Sequence, residues 1–204
     1  FNAHNVVVYG REGDDYLISD PVFETPVRCD RASLMKARFA KGALAAKGLQ
    51  YFPTHIPQTI DYAKAIPSAI KRNVRVMTGA PLPFVGVRGI RYMGRQLLKL
   101  ERDAEKRAQY LPLYLGHIVR MQEEIGTGGA GFRFIYAAFL RESSRLLESA
   151  VLKEAATAMT EAGDHWRLFA LHASKMCKGR EAMDVGLLNA LLNGCADREA
   201  ITWR

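Results

Sequence analysis

FNAHNVVVYGREGDDYLISD, residues 1–20, has the pattern of one β-hairpin. Val6, Val7, Val8 and Tyr9 form a β-branched and aromatic run, 10–14 is turn chemistry, and Tyr16, Leu17 and Ile18 make the returning strand. With the turn centred on Glu12, paired residue numbers sum to 24 and His4 faces Asp20. Directly opposed side chains share a face, with Cβ atoms about 4.5–5.5 Å apart. The open end of the hairpin then sets an imidazole beside a carboxylate, the pairing of a general base with its orienting partner. The same spacing also suits an edge-strand histidine and a turn-forming aspartate ahead of proline.

Outward from the hairpin the pattern turns helical, and the expected fold class is α+β: an N-terminal hairpin followed by a mainly α-helical domain. Pro21 stops the second strand, because proline cannot extend a ladder. Asp30 is a candidate N-cap for a helix reaching Gly48, and 49–60 is extended or irregular. Pro67 suits the first turn of a short helix to about Met77. The Gly- and Pro-rich stretch TGAPLPFVGVRG, 78–89, is the clearest linker, so a division between lobes is expected at or before it. The expected organisation is 1–50, hairpin plus helix, and 51–204, a helical domain carrying the glycine loop GTGGAG at 126–131.

One long helix is predicted over 90–111. Its apolar stripe runs through Ile90, Met93 and Leu97. A basic stripe of Arg88, Arg91, Arg95, Lys99, Arg102 and Lys106 points roughly 200° away from it. Pro112 interrupts, and a second segment follows to Glu124. After the glycine loop come an apolar helix from Phe132 to Leu147, further helix with stripes at Leu152, Ala156, Met159 and Trp166, Phe169, Ala170, and a last helix ending near Asn193-Gly194.

Composition bounds the function. The 204 residues are 49% hydrophobic, enough for a real core, and no apolar run is long enough to span a membrane. No secretory leader is visible, and the three scattered cysteines fit a reduced, cytoplasmic chain in which zinc is not expected. The net charge of +8 favours acidic partners. The basic stripe lacks the interleaved aromatics of a single-strand platform, so an acidic protein is preferred over nucleic acid. A solvated helix face is the plainer reading of the same stripe. No cofactor is expected, and a homo-oligomer is compatible with the composition.

Gly126, Thr127, Gly128 and Gly129 allow close backbone approach, and the helix start after them offers free N–H groups. With Arg133 they form a candidate anion site. A tight helix–helix turn has the same signature. His55, His117, His165 and His172 are isolated, without a third ligand for a metal. Cys29 lies ahead of a helix start but before its cap, a poor setting for an activated thiol. The chain opens without Met just before a strand, and a segment upstream of Phe1 is expected.

Two segments carry a family resemblance. AHNVVVYGREGDDYLISDP resembles the His–Asp half of papain-like cysteine enzymes, in which His opens one strand and Asp or Asn follows the next. IGTGGAGFRFIYAAFL, with the Ser/Glu-rich helix after it, resembles the helical domain that follows the N-terminal domain of the butirosin biosynthesis protein H-like family; the Asp-Pro after the hairpin and the Ala37-Arg38 pair are similar as well. The resemblance implies an acyltransferase that passes an acyl group from an acyl carrier protein thioester to an amine, with His4 as base and Asp20 as orienter. Peptide or amide hydrolysis on the same fold, and a non-catalytic module binding an anion or a partner, are the alternatives. The family's cysteine lies N-terminal to the hairpin, so the nucleophile is expected in the upstream segment. A carrier protein would dock on Arg88, Arg91, Arg95, Lys99 and Arg102.

Overall fold

A computed structural model describes residues 4–42, 45–125 and 127–204. The chain divides into two compact units, 1–58 and 59–204, so the boundary falls after Gln58 rather than after residue 50. The fold class is α+β: a three-stranded antiparallel sheet, then helices.

In the first unit, β1 (Val7–Glu12) pairs with β2 (Asp15–Ser19), and β2 with β3 (Val27–Asp30). The turn is the two-residue connection Gly13-Asp14 rather than one centred on Glu12. Gly13 takes φ +60, where a side chain is disfavoured, and the Arg11 guanidinium ties the turn to the Gly13 carbonyl at 2.7 Å. Near the turn paired numbers sum to 27 (Gly10↔Leu17), but beyond Tyr9 they sum to 26 (Val8↔Ile18). Tyr9 is therefore the extra residue of a one-residue bulge. The third strand is an addition to the expected hairpin; its four residues, VRCD, are too short and too polar to announce a strand.

Asp30 caps α1 (Arg31–Arg38) by accepting from the Ser33 amide at 2.9 Å. This helix stops at Phe39, well short of the expected Gly48. Among the described hydrophobic residues of this unit only Ile18 and Leu34 are buried, while Val7, Val8, Tyr9 and Phe23 are exposed.

The second unit is a helical array. Asp61 caps α2 (Tyr62–Gly79), which begins earlier than expected and carries Pro67 in its interior. The Gly/Pro-rich stretch 78–89 lies within this unit: 80–85 connect α2 to α3, and its other half belongs to the ends of the two helices. The stripe from Ile90 is split into α3 (Gly86–Arg102) and α4 (Ala104–Gln109), because Asp103 is extended at φ −93, ψ 102. Pro112 opens α5 (Leu111–Glu123), where its missing N–H costs nothing. The glycine loop and a short 3-10 turn lead to α6 (Arg133–Leu146), then α7 (Ala150–Cys177) and α8 (Val185–Thr202). The last helix runs through Gly194 rather than ending there. A Cβ at Gly194 would lie 2.5 Å from His165 Nε2, so this glycine is a close-packing contact between α7 and α8.

Two apolar clusters fill this unit. The larger joins α3, α5, α7 and α8 around Leu97, Leu115, Phe169 and Leu192; the smaller joins α2, α6 and α7 around Leu140, Met159 and Trp203. No helix among the described residues is long and apolar enough to cross a membrane.

Candidate functional site

Each unit carries one of the two sequence-predicted constellations. His4 Nε2 meets Asp20 Oδ1 at 2.8 Å. They are not directly opposed. Continuing the register of Val7↔Ser19 past the strand end sets His4 opposite Val22, with Asp20 two positions back on the same face. Such diagonal neighbours lie about 7–8 Å apart, within reach of long side chains. The bulge makes this geometry. Were Tyr9 paired in the ladder instead of bulged out of it, the register of Gly10↔Leu17 would put Phe23 opposite His4 and send Asp20 to the other face.

Asp20 is fixed from behind. Its Oδ1 accepts the Val22 amide at 2.9 Å and its backbone carbonyl accepts the Phe23 amide at 3.0 Å, an Asx turn around Pro21. The Val22 amide, opposed by some desolvation and reinforced by His4, holds the Asp20 carboxyl below its ordinary value, so it is ionised at neutral pH. An acceptor-only carboxylate needs a proton on Nε2, which leaves Nδ1 of the neutral ring as the lone-pair nitrogen. Among the described residues Nδ1 has no hydrogen-bond partner, and the His4 side chain is 47% exposed. A nitrogen base, oriented through its other nitrogen and open to solvent, is the result.

None of the three cysteines is shifted toward the thiolate. Burial and the Asp30 and Asp15 charges raise Cys29, burial raises Cys177, and burial with the Glu199 charge pushes Cys195 up to about 12.

Of the glycine loop, Gly126 lies outside the described residues. Gly128, Gly129, Ala130, Gly131 and Phe132 all have positive φ, a left-handed run in which Ala130 and Phe132 are strained. Two of the loop's polar groups are bonded inward. The Thr127 hydroxyl donates to the Gln122 carbonyl, and the Ala130 amide donates to Glu123 Oε1 at 3.1 Å. Arg133 does turn inward, and the anion it meets is Glu199. Its Nε and Nη2 lie 2.9 and 2.8 Å from Glu199 Oε1, its Nη1 donates to the Gly131 carbonyl, and its guanidinium stacks on Trp166 at 4.7 Å. Glu199 is fully buried and also accepts from the indoles of Trp166 (2.6 Å) and Trp203 (3.4 Å). The loop thus delivers Arg133 to a buried carboxylate, as a tight helix–helix turn would. As a charge in a helix Glu199 carries no sequence mark of a functional residue except its phase with Leu188, Leu192, Cys195 and Trp203.

Beside the loop a cleft of about 240 Å³ opens between α2, Phe132, Tyr136, Met159 and Trp203. The Tyr136 hydroxyl is buried there; Asn73 approaches it without a well-formed hydrogen bond, and burial raises its pKa.

On α3, Arg88, Arg95, Lys99 and Arg102 are exposed and have no ion-pair partner among the described residues. Arg91 departs from the expected stripe. It reaches α8, with Nη2 2.5 Å from Asp197 and Nη1 3.4 Å from Asn193, and so joins the packing of α3 on α8.

Neither the curated proteins nor the solved structures contain a match to this chain. One family model does match, over residues 32–204, which leaves the His4–Asp20 pair outside the matched region. Its description is Domain of unknown function (DUF4872), and the chain belongs to that family.

Proposed function

We propose that His4 and Asp20 are the base and orienter of a papain-like cysteine acyltransferase of the butirosin biosynthesis protein H-like kind, acting in the cytoplasm. The observation behind this reading is the 2.8 Å contact between His4 Nε2 and an Asp20 carboxylate that the Val22 amide holds in place. The thiolate comes from residues outside these 204, since each cysteine present is raised rather than activated. The thiolate attacks the carbonyl of a carrier-protein thioester; the carrier sulfur leaves and takes the proton from the imidazolium of His4. The incoming amine then attacks the acyl-enzyme, Nδ1 of His4 accepts the amine proton, and the enzyme thiolate leaves. Asp20 stabilises the imidazolium in both steps. The exposed cations Arg88, Arg95, Lys99 and Arg102 suit the acidic surface of a carrier protein.

The test is thioester turnover by a chain that includes the upstream segment, with and without His4→Ala. Loss of a general base predicts a fall of about 10²–10⁴-fold in kcat. Unchanged turnover removes the assignment. Comparing products with water and with an amine as acceptor separates transfer from hydrolysis.

A further inference from the structure

The cleft beside the glycine loop has a lining that the acyl-transfer reading does not use. Its walls are Val76 and Met77 of α2, Met159 of α7, and the Tyr136 and Trp203 rings, whose centroids are 5.0 Å apart. Among the described residues no carboxylate lines it. At one end Arg72 and Asn73 also line an adjoining groove along α2, with Ser68. Arg72 is exposed and has no ion-pair partner among the described residues. Helix α2 carries Lys64, Lys71, Arg72 and Arg75 and no acidic residue. Phe132, 57% exposed and at φ 71, also lines the cleft. Backbone strain of this kind is retained where the surroundings over-determine it, commonly at ligand sites.

We infer that this cleft binds a small anion with an apolar body, the tail lying on Met77, Met159 and Trp203 and the head on the Arg72 guanidinium. Size and charge select this class. An apolar cavity of about 150 Å³ accepts benzene, so 240 Å³ accommodates a body of roughly ten carbon atoms. Arg133 adds no free charge, because Glu199 neutralises it, which leaves the headgroup to Arg72. A carboxylate and a phosphate ester both match the planar fork of a guanidinium.

Octanoate and octyl phosphate are the probes, with 1-octanol as the uncharged control. Binding is read by calorimetry on the full chain, with tryptophan fluorescence, to which Trp166 and Trp203 both contribute, as a check. Saturable binding of either anion is expected, weakened at least about tenfold in Arg72→Glu, since that change removes a charge-assisted bond and adds repulsion. Val76→Trp, which fills the cleft from an exposed position, is expected to abolish it. Circular dichroism verifies that both variants fold. The inference is overturned if neither anion binds, if 1-octanol binds as tightly as octanoate, or if both folded variants bind like the parent chain. None of these readouts depends on His4, so this inference and the acyl-transfer reading fail separately.

Discussion

Glu199 joins the two apolar clusters of the helical unit through one carboxylate. Trp166 belongs to the larger cluster and Trp203 to the smaller, and their indole N–H groups reach its two oxygens. Arg133 supplies the countercharge on Oε1. Removing one partner of a buried pair leaves the other desolvated and uncompensated, at a cost of about 3–5 kcal/mol. Glu199→Gln should therefore shift the urea midpoint sharply downward. The double replacement Glu199→Leu with Arg133→Met should lose much less, because an apolar pair of similar volume carries no orphaned charge. If the double variant is as unstable as the single one, the carboxylate matters through its indole contacts and not through Arg133. Nothing in the local sequence marks Glu199 as buried except its phase with Leu192, Cys195 and Trp203. A helical glutamate is ordinarily a solvated residue, and only the tertiary arrangement reveals the donors around it.

At the scale of elements, the strand register beyond Tyr9 decides whether base and orienter meet. Deleting Tyr9 leaves the pairings Val8↔Ile18 and Gly10↔Leu17 continuous, so His4 should keep its contact with Asp20. Deleting Asn5 instead moves His4 by one position and turns its side chain to the other face. The imidazole nitrogen shifts of His4 report this directly: a protonated Nε2 bonded to a carboxylate in the first variant, and a tautomer mixture in the second. Retention of the Nε2 signature in the Asn5 deletion would show that the pair is set by the Asx turn alone. The hairpin itself was legible because β-branched residues flank a Gly-Asp turn. The face shared by His4 and Asp20 was legible too, since an error of two in the register preserves parity. The true turn, the bulge and β3 were not, because each rests on hydrogen bonds between segments and on no periodicity of its own. The helices past residue 60 were visible from their stripes. Their ends were not: Asp103 breaks a continuous pattern, and Gly194, a plausible stop, is a helix–helix contact.

At the scale of the whole molecule, stability is distributed unevenly between the two units. Every residue of both apolar clusters lies after residue 59, whereas Ile18 and Leu34 are the buried hydrophobics described before it. A segment whose described residues bury two hydrophobic side chains cannot offset the conformational entropy of ordering some 50 residues, at about 1–2 kcal/mol per residue. The helical unit, with two filled clusters and an internally neutralised Arg133–Glu199 pair, can. A polypeptide of residues 59–204 is thus expected to show one cooperative urea transition by far-UV circular dichroism. Residues 1–58 alone are expected to give no cooperative transition, and their uncharged strand NVVVYG, with Val7, Val8 and Tyr9 exposed, favours association at higher concentration. A sloping, non-cooperative melt for 59–204 would mean that the two clusters do not form a self-sufficient core. A sharp transition for 1–58 would mean that the sheet finds its stability in side chains that are exposed here. The Arg72 cleft provides a second check on the same fragment, because all its lining residues fall within 59–204 and octanoate binding should survive the truncation.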